Sequence, residues 1–238
     1  MTETSVPHDQ KRRLVADFNA LAETYDTLRA VRVCAHRLVA LAAPPSGAQV
    51  LDVATGTGWA AMAAAQHVGP TGRVLGVDLA PELLEHARQK VAAAGLTHVE
   101  FRAGDATRLD LADQCVDVVL CASALFFLPD MLAALREWHR VLKPGGQVGF
   151  SGFGPTFLQP LQDVWDARLR QYGVSVPTSS PGQRLAELET CRRLLHEAGF
   201  VQPAVQSEQL GYYYRTVEEY WEESWASVRR MAVLQLAP

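Results

Sequence analysis

The stretch Asp52-Val53-Ala54-Thr55-Gly56-Thr57-Gly58 sets a carboxylate and two glycines directly after an apolar run. Glycine lets backbone approach a bound molecule closely, and a helix opening behind the turn offers unpaired N–H groups to an anion. Gly56-Thr57-Gly58-Trp59-Ala60-Ala61 also satisfies G-x-G-x-x-A, and Asp78 follows Gly58 by 20 residues, where a dinucleotide site needs a ribose acid. That pattern alone leaves the ligand open. Two further carboxylates discriminate. Asp52 stands just before the loop, where its charge would repel a pyrophosphate but suit a ligand carrying an ammonium and a sulfonium. Asp105 can accept from an adenine amine while the backbone N–H of Ala106 donates to the ring. Asp78 would then grip both ribose hydroxyls, each charge-assisted bond worth about 1.5–3 kcal/mol. Singly, each aspartate reads equally well as a cap or a turn residue; ending three successive strands, they describe a nucleoside.

Such a constellation needs a scaffold that brings strand ends together. From Gln49 onward, short β-branched runs alternate with longer helical patterns, the signature of βαβ units and a parallel sheet. Strands are predicted at Gln49–Val53, Arg73–Val77, Val99–Ala103, Val116–Ala122 and Gln147–Phe150. Between them, Trp59–Val68 reads as a helix stopped by Gly69-Pro70-Thr71-Gly72, with Trp59 packing it on the sheet. Pro81 opens a helix with Leu83, Ala87 and Val91 on one face and Gly95 at its end. Asp130 caps another, with the stripe Met131, Leu135, Trp138, Leu142, ended by Pro144-Gly145-Gly146.

Past Ser151 the pattern changes to an aromatic-rich segment, read as a cap. It has a helix over Leu185–Ala198 closed by Gly199, a strand at Val201–Gln206, a loop over Pro177–Gly182 and a helical pattern from Val217 to Leu236. Ahead of the first strand, Leu14, Phe18, Leu21, Tyr25 and Leu28 follow a 4-3-4-3 spacing, which predicts a helix free to lie across the ligand-binding edge of the sheet. The expected organisation is a single domain over 1–238, with a helical lid at 1–45, a cofactor-binding core at 46–150 and a substrate cap at 151–238.

Composition narrows the function. With 238 residues, 48% of them hydrophobic, the chain can bury one core and carry a lid. A net charge of -4 provides no cationic field to attract nucleic acid or anionic lipid, and Lys11-Arg12-Arg13 reads as a solvated face. No signal-peptide pattern or run of about 18 apolar residues occurs, which predicts a cytoplasmic protein. Cys34, Cys115, Cys121 and Cys191 match neither a metal motif nor a disulfide framework and read as buried thiols; no metal is expected. His36, His67, His86, His98, His139 and His196 each fit surface or core positions, so no catalytic base is nominated.

Five ordered segments, Phe18 to Asp26, Val50 to Gly58, Gly76 to Asp78, Gly104 to Ala106 and Val141 to Gly146, carry a resemblance to the class I S-adenosylmethionine-dependent methyltransferases. Within them the chain is most similar to the branch containing the ubiquinone/menaquinone-biosynthesis enzymes and their small-molecule relatives. The resemblance implies an α/β, Rossmann-like, doubly wound and mostly parallel seven-stranded sheet. Its antiparallel last strand would come from Leu210–Tyr214 or from chain beyond Pro238. It also implies S-adenosylmethionine as cofactor, lined by Asp52, Ala54, Thr55, Gly56, Gly58, Asp78, Leu79, Asp105, Ala106 and Ala122, with Tyr25 closing over it. Ala54 replaces the usual first glycine, Trp59 stands where the quinone branch commonly has an acid, and Ala124-Leu125-Phe126-Phe127-Leu128 departs from that branch's substrate region. The expected activity is in-line methyl transfer to a small apolar or aromatic acceptor, with Phe126, Phe127, Phe153 and Tyr213 as candidate substrate contacts. The expected protein is a monomer or homodimer. Two other readings stay open: a noncatalytic cofactor-binding partner subunit, and an NAD(P)-dependent oxidoreductase, although a Tyr-x-x-x-Lys is absent.

Overall fold

A computed structural model describes residues 6–176, 180–227 and 230–234. Helices α1 (Val6–Tyr25) and α2 (Arg29–Ala42) precede the alternating unit β1 (Gln49–Val53), α3 (Trp59–Val68), β2 (Arg73–Asp78), α4 (Pro81–Ala93) and β3 (Val99–Ala103). Then come β4 (Val116–Cys121), a 3-10 turn at Leu125–Phe127, α5 (Met131–Val141) and β5 (Leu142–Phe150). The cap holds α6 (Leu161–Gln171), a 3-10 turn at Pro181–Leu185, α7 (Leu188–Glu197), α8 (Val217–Trp225) and α9 (Arg230–Val233).

The five strands pair in parallel in the order β3-β2-β1-β4-β5, so the winding direction reverses between β1 and β4. Open sheets of this kind bind ligands beyond the carboxyl ends of the strands at that reversal. Helices cover both faces, and alternate strand residues enter different cores. Val50, Val118 and Leu120 pack with Ala60, Ala61, Ala64 and Val68 of α3 and Leu38 and Val39 of α2. Leu51, Val53 and Val119 pack with Leu135 and Trp138 of α5 and Leu194 and Leu195 of α7. Burial on both sides is why the central strands are apolar nearly throughout. The small alanines of α3 let that helix lie close on the sheet, and Asp130 caps α5 as expected, accepting from Ala133 N.

Several expectations are corrected. Val201–Gln206 and Leu210–Tyr214 form no strand, since neither is brought into hydrogen-bonded register with the outer edge of β5; among the described residues the sheet has five strands. Pro144-Gly145-Gly146 lie inside β5, where a register irregularity against Val116–Val118 absorbs the residue that cannot donate. The helix expected at Leu185–Ala198 starts only at Leu188, since Pro181–Leu185 turns as 3-10 helix first. Helix from Val217 breaks after Trp225. The loop expected at Pro177–Gly182 lies partly outside the described residues, and Pro181 and Gly182 belong to the 3-10 turn. Cys121 and Cys191 are buried, whereas Cys34 and Cys115 are half-buried; all four are free thiols.

Candidate functional site

The loop after β1 turns on three left-handed residues, Ala54 (φ 52°), Gly56 (φ 56°) and Gly58 (φ 84°). At Ala54 this conformation costs on the order of 1 kcal/mol, a local strain of the kind that clusters at ligand sites. Gly58 is required twice over. It serves as the N-cap of α3, and a Cβ there would stand 2.9 Å from the Phe101 ring.

Asp52 and Asp78 hold this loop from beneath. Asp52 is 1% exposed and accepts from Thr55 Oγ1 at 2.6 Å through Oδ2, while Oδ1 has no hydrogen-bond partner. Burial pushes its carboxyl up to about 7, against the Thr55 hydroxyl and the nearby Ala61 amide and with help from the charge of Asp78. Asp78 accepts from Gly56 N at 2.8 Å and from Ala80 N at 2.9 Å, tying the end of β2 to the loop and to the start of α4. Burial raises the Asp78 carboxyl too, only partly countered by these amides. Asp105 accepts from Thr107 N at 2.8 Å and Thr107 Oγ1 at 2.7 Å on one oxygen and from Lys11 Nζ at 2.6 Å on the other. Partial burial works to raise its carboxyl, but Lys11 and Thr107 outweigh that and leave it below the usual range. Ala106 is buried beside it, its carbonyl accepting from Trp138 Nε1 at 2.8 Å. Leu79 is more open at 36% exposure, and Ala122 packs at the end of β4.

Helix α1 crosses this edge. Tyr25 lies over the loop, close enough that a Cβ on Gly56 would touch its ring at 3.6 Å. Its phenol is pushed above its usual range, first by burial and then by the charges of Asp78 and Asp26. Asp26 accepts from the Thr57 hydroxyl, from Trp59 Nε1 at 2.9 Å and from Lys90 Nζ at 2.8 Å. Trp59 is therefore only partly the core residue expected: the Lys90 ammonium sits 3.8 Å from its ring centroid. Lys11, assigned from sequence to a solvated face, is a correction of greater weight. It repeats at seven-residue steps with Phe18 and Tyr25, so it belongs to the inward stripe of α1, and that periodicity could have marked it.

Of the four candidate substrate contacts, three come together. Phe126 is 2% exposed and packs on Phe127 (4.7 Å between centroids) and Phe153 (5.4 Å), and Phe18 meets Phe127 edge-on at 5.4 Å. Phe126 is thereby core rather than surface. Tyr213 is 93% exposed and does not join them; its neighbours Tyr212 and Tyr214 turn inward instead, flanking the Arg29 guanidinium at 4.7 and 4.5 Å.

Asp52, Asp78 and Asp105 thus stand at or just past the carboxyl ends of β1, β2 and β3, around a glycine turn on an open parallel α/β sheet. Residues 50–146 match the family described as "Methyltransferase domain". The chain is 41% identical over 112 residues to an arsenite methyltransferase of Halobacterium salinarum, covering 47% of this chain and 29% of that protein. It is 32% identical over 143 residues to an aklanonic acid methyltransferase of a Streptomyces species, with 59% and 65% covered. To a demethylmenaquinone methyltransferase of Staphylococcus aureus it is 34% identical over 154 residues, with 62% of each covered. It thus spans less than two thirds of these curated relatives. Its fold is that of a SAM-dependent methyltransferase from Aquifex aeolicus, with a TM-score of 0.58 at 22% identity over 76% of this chain and 87% of that one.

Proposed function

We propose that the protein is an enzyme that transfers a methyl group from S-adenosylmethionine to a small, apolar or aromatic acceptor. The observation that carries this reading is the buried Asp52, whose Oδ1 lacks a donor that a ligand ammonium reaching the loop would supply. Asp78 would take the ribose hydroxyls, Asp105 with Ala106 the adenine, and Ala54, Thr55, Gly56, Gly58, Leu79 and Ala122 would surround the ligand. When bound, the cofactor supplies an electrophilic methyl carbon. What remains for the chain is alignment and exclusion of water. Tyr25 and Phe18 on α1 would close the site, and Phe127 and Phe153 would hold the acceptor's apolar body. The relatives' names span arsenite, a quinone precursor and aklanonic acid, so the acceptor is left to the aromatic wall rather than to homology. The seven-stranded form belongs to the same proposal. Among the described residues the outer edge of β5 is unpaired and faces residues 199–210 across a crevice of about 1000 Å³, where further strands would pair.

Calorimetry tests the cofactor. S-adenosylmethionine and S-adenosylhomocysteine are expected to bind one site, with NAD and NADP silent. Asp78→Ala should weaken that binding about 10- to 150-fold, from about 1.5–3 kcal/mol of charge-assisted hydrogen bonding. Binding of NAD alone, or an unchanged dissociation constant in the variant, overturns the assignment.

A further inference from the structure

Helix α1 does more than cover the cofactor edge: it satisfies, with its own side chains, groups that a ligand would use. Lys11 and Tyr25 are 14 residues apart, which is roughly 21 Å along a helix, and two whole heptads, close to four turns, keep them on one face. At one end the Lys11 ammonium is 2.6 Å from Asp105 Oδ2 and 3.0 Å from Thr107 Oγ1. Since Thr107 already fills Asp105 Oδ1 through its amide and its hydroxyl, Lys11 holds the remaining oxygen of that carboxylate. At the other end the Tyr25 ring rests on the Gly56 turn.

The two ends of the helix are fastened unequally. The carboxyl end is pinned by Asp26, with Lys90, Thr57 and Trp59 as donors, and by Leu21 and Ala22, buried at 2% and 5%. Ala22 packs with Ala80 and Leu83 of α4. Also in the carboxyl-terminal third, Asn19 Oδ1 accepts from Glu82 N at 3.2 Å. Toward the amino end the Lys11 pair, whose two partners are each 28% exposed, ties the helix to the core. The carboxyl end is thus the more heavily fastened of the two.

We propose that Lys11 is a latch and an internal competitor for the adenine end of the cofactor: its ammonium occupies the Asp105 oxygen to which the adenine amine would donate, so the cofactor enters by displacing it. This rests on the cofactor reading above. Binding would exchange one donor on Asp105 for another, free the amino-terminal half of α1, and leave Asp26 and Tyr25 as the hinge side of the lid. The competition lowers apparent affinity by the share of molecules in which the latch is closed.

The test is calorimetric titration with S-adenosylhomocysteine, which carries no net charge at neutral pH, on the full chain and on Lys11→Met and Lys11→Arg. Lys11→Met should bind about three- to tenfold more tightly than wild type, and Lys11→Arg, which keeps the cation, should match wild type. Raising ionic strength from about 0.02 to 0.5 M should tighten binding in wild type by weakening the latch and leave Lys11→Met unmoved. The salt response needs no variant, so it reads the latch even where Lys11→Met does not fold. Weaker or unchanged binding in Lys11→Met, or a wild-type affinity indifferent to salt, overturns the latch while the cofactor reading stands. Absence of any binding to folded wild type removes both.

Discussion

Asp52→Asn exchanges a carboxyl that burial has pushed up to about 7 for a neutral amide of the same shape. In the unfolded chain this group titrates near 3.9. A folded-state value above the unfolded one means that the neutral acid is the form the fold accommodates. The stability Asp52 contributes is therefore fully present below pH 4, declines as pH rises from about 4 to 7, and is flat above that. The full span is about 4 kcal/mol. In the variant, Thr55 can still donate to the amide oxygen, but the NH2 group would occupy the place of Oδ1, which has no partner, at a cost of about 1–3 kcal/mol. The two effects cross. Wild type should be the more stable protein at pH 4, and Asp52→Asn the more stable by about 1–3 kcal/mol at pH 8. Urea unfolding of both proteins at intervals from pH 4 to 8 measures this, because titrating groups that do not interact with Asp52 cancel in the difference. Over the same range the variant should bind S-adenosylhomocysteine more weakly at pH 8, so stability and ligand affinity move in opposite directions. A stability difference that stays constant from pH 4 to 8 would refute the reasoning, for it would show Asp52 ionising in the fold without penalty.

Gly58→Ala should cost about 2–4 kcal/mol, since the new methyl would stand 2.9 Å from Phe101 and 3.2 Å from Ala87 Cβ on a backbone at φ 84°; thermal melting reads the loss, and a change under 1 kcal/mol would contradict it. Trp138→Phe should cost about 2–4 kcal/mol in denaturant unfolding, because it opens space in a fully buried position and strands the Ala106 carbonyl; a near-neutral result would mean that water reaches that carbonyl.

What sequence alone determined is everything set by local pattern. The five strands, the glycine turn, the Asp130 cap and the acids at or just past the ends of β1, β2 and β3 follow from periodicities of 2 and 3.6 and from residues with narrow backbone preferences. Those signals act over a few residues, so they survive without knowledge of the partner. Tertiary structure decided the rest. Val201–Gln206 has the composition of a strand, but a strand exists only where the fold brings it into register with a neighbour's free N–H and C=O groups, and here it stays unpaired beside the edge of β5. Alternation in Tyr212-Tyr213-Tyr214 assigns Tyr213 to one side and its neighbours to the other without saying which side is inside; Arg29, some 180 residues earlier, decides that by drawing Tyr212 and Tyr214 inward. Lys11 looks like any surface cation beside Arg12 and Arg13 until α1 is laid across the sheet and Asp105, 94 positions away, stands opposite its ammonium. A carboxylate and an ammonium recognise each other through space, and only the fold determines which charges are brought within reach.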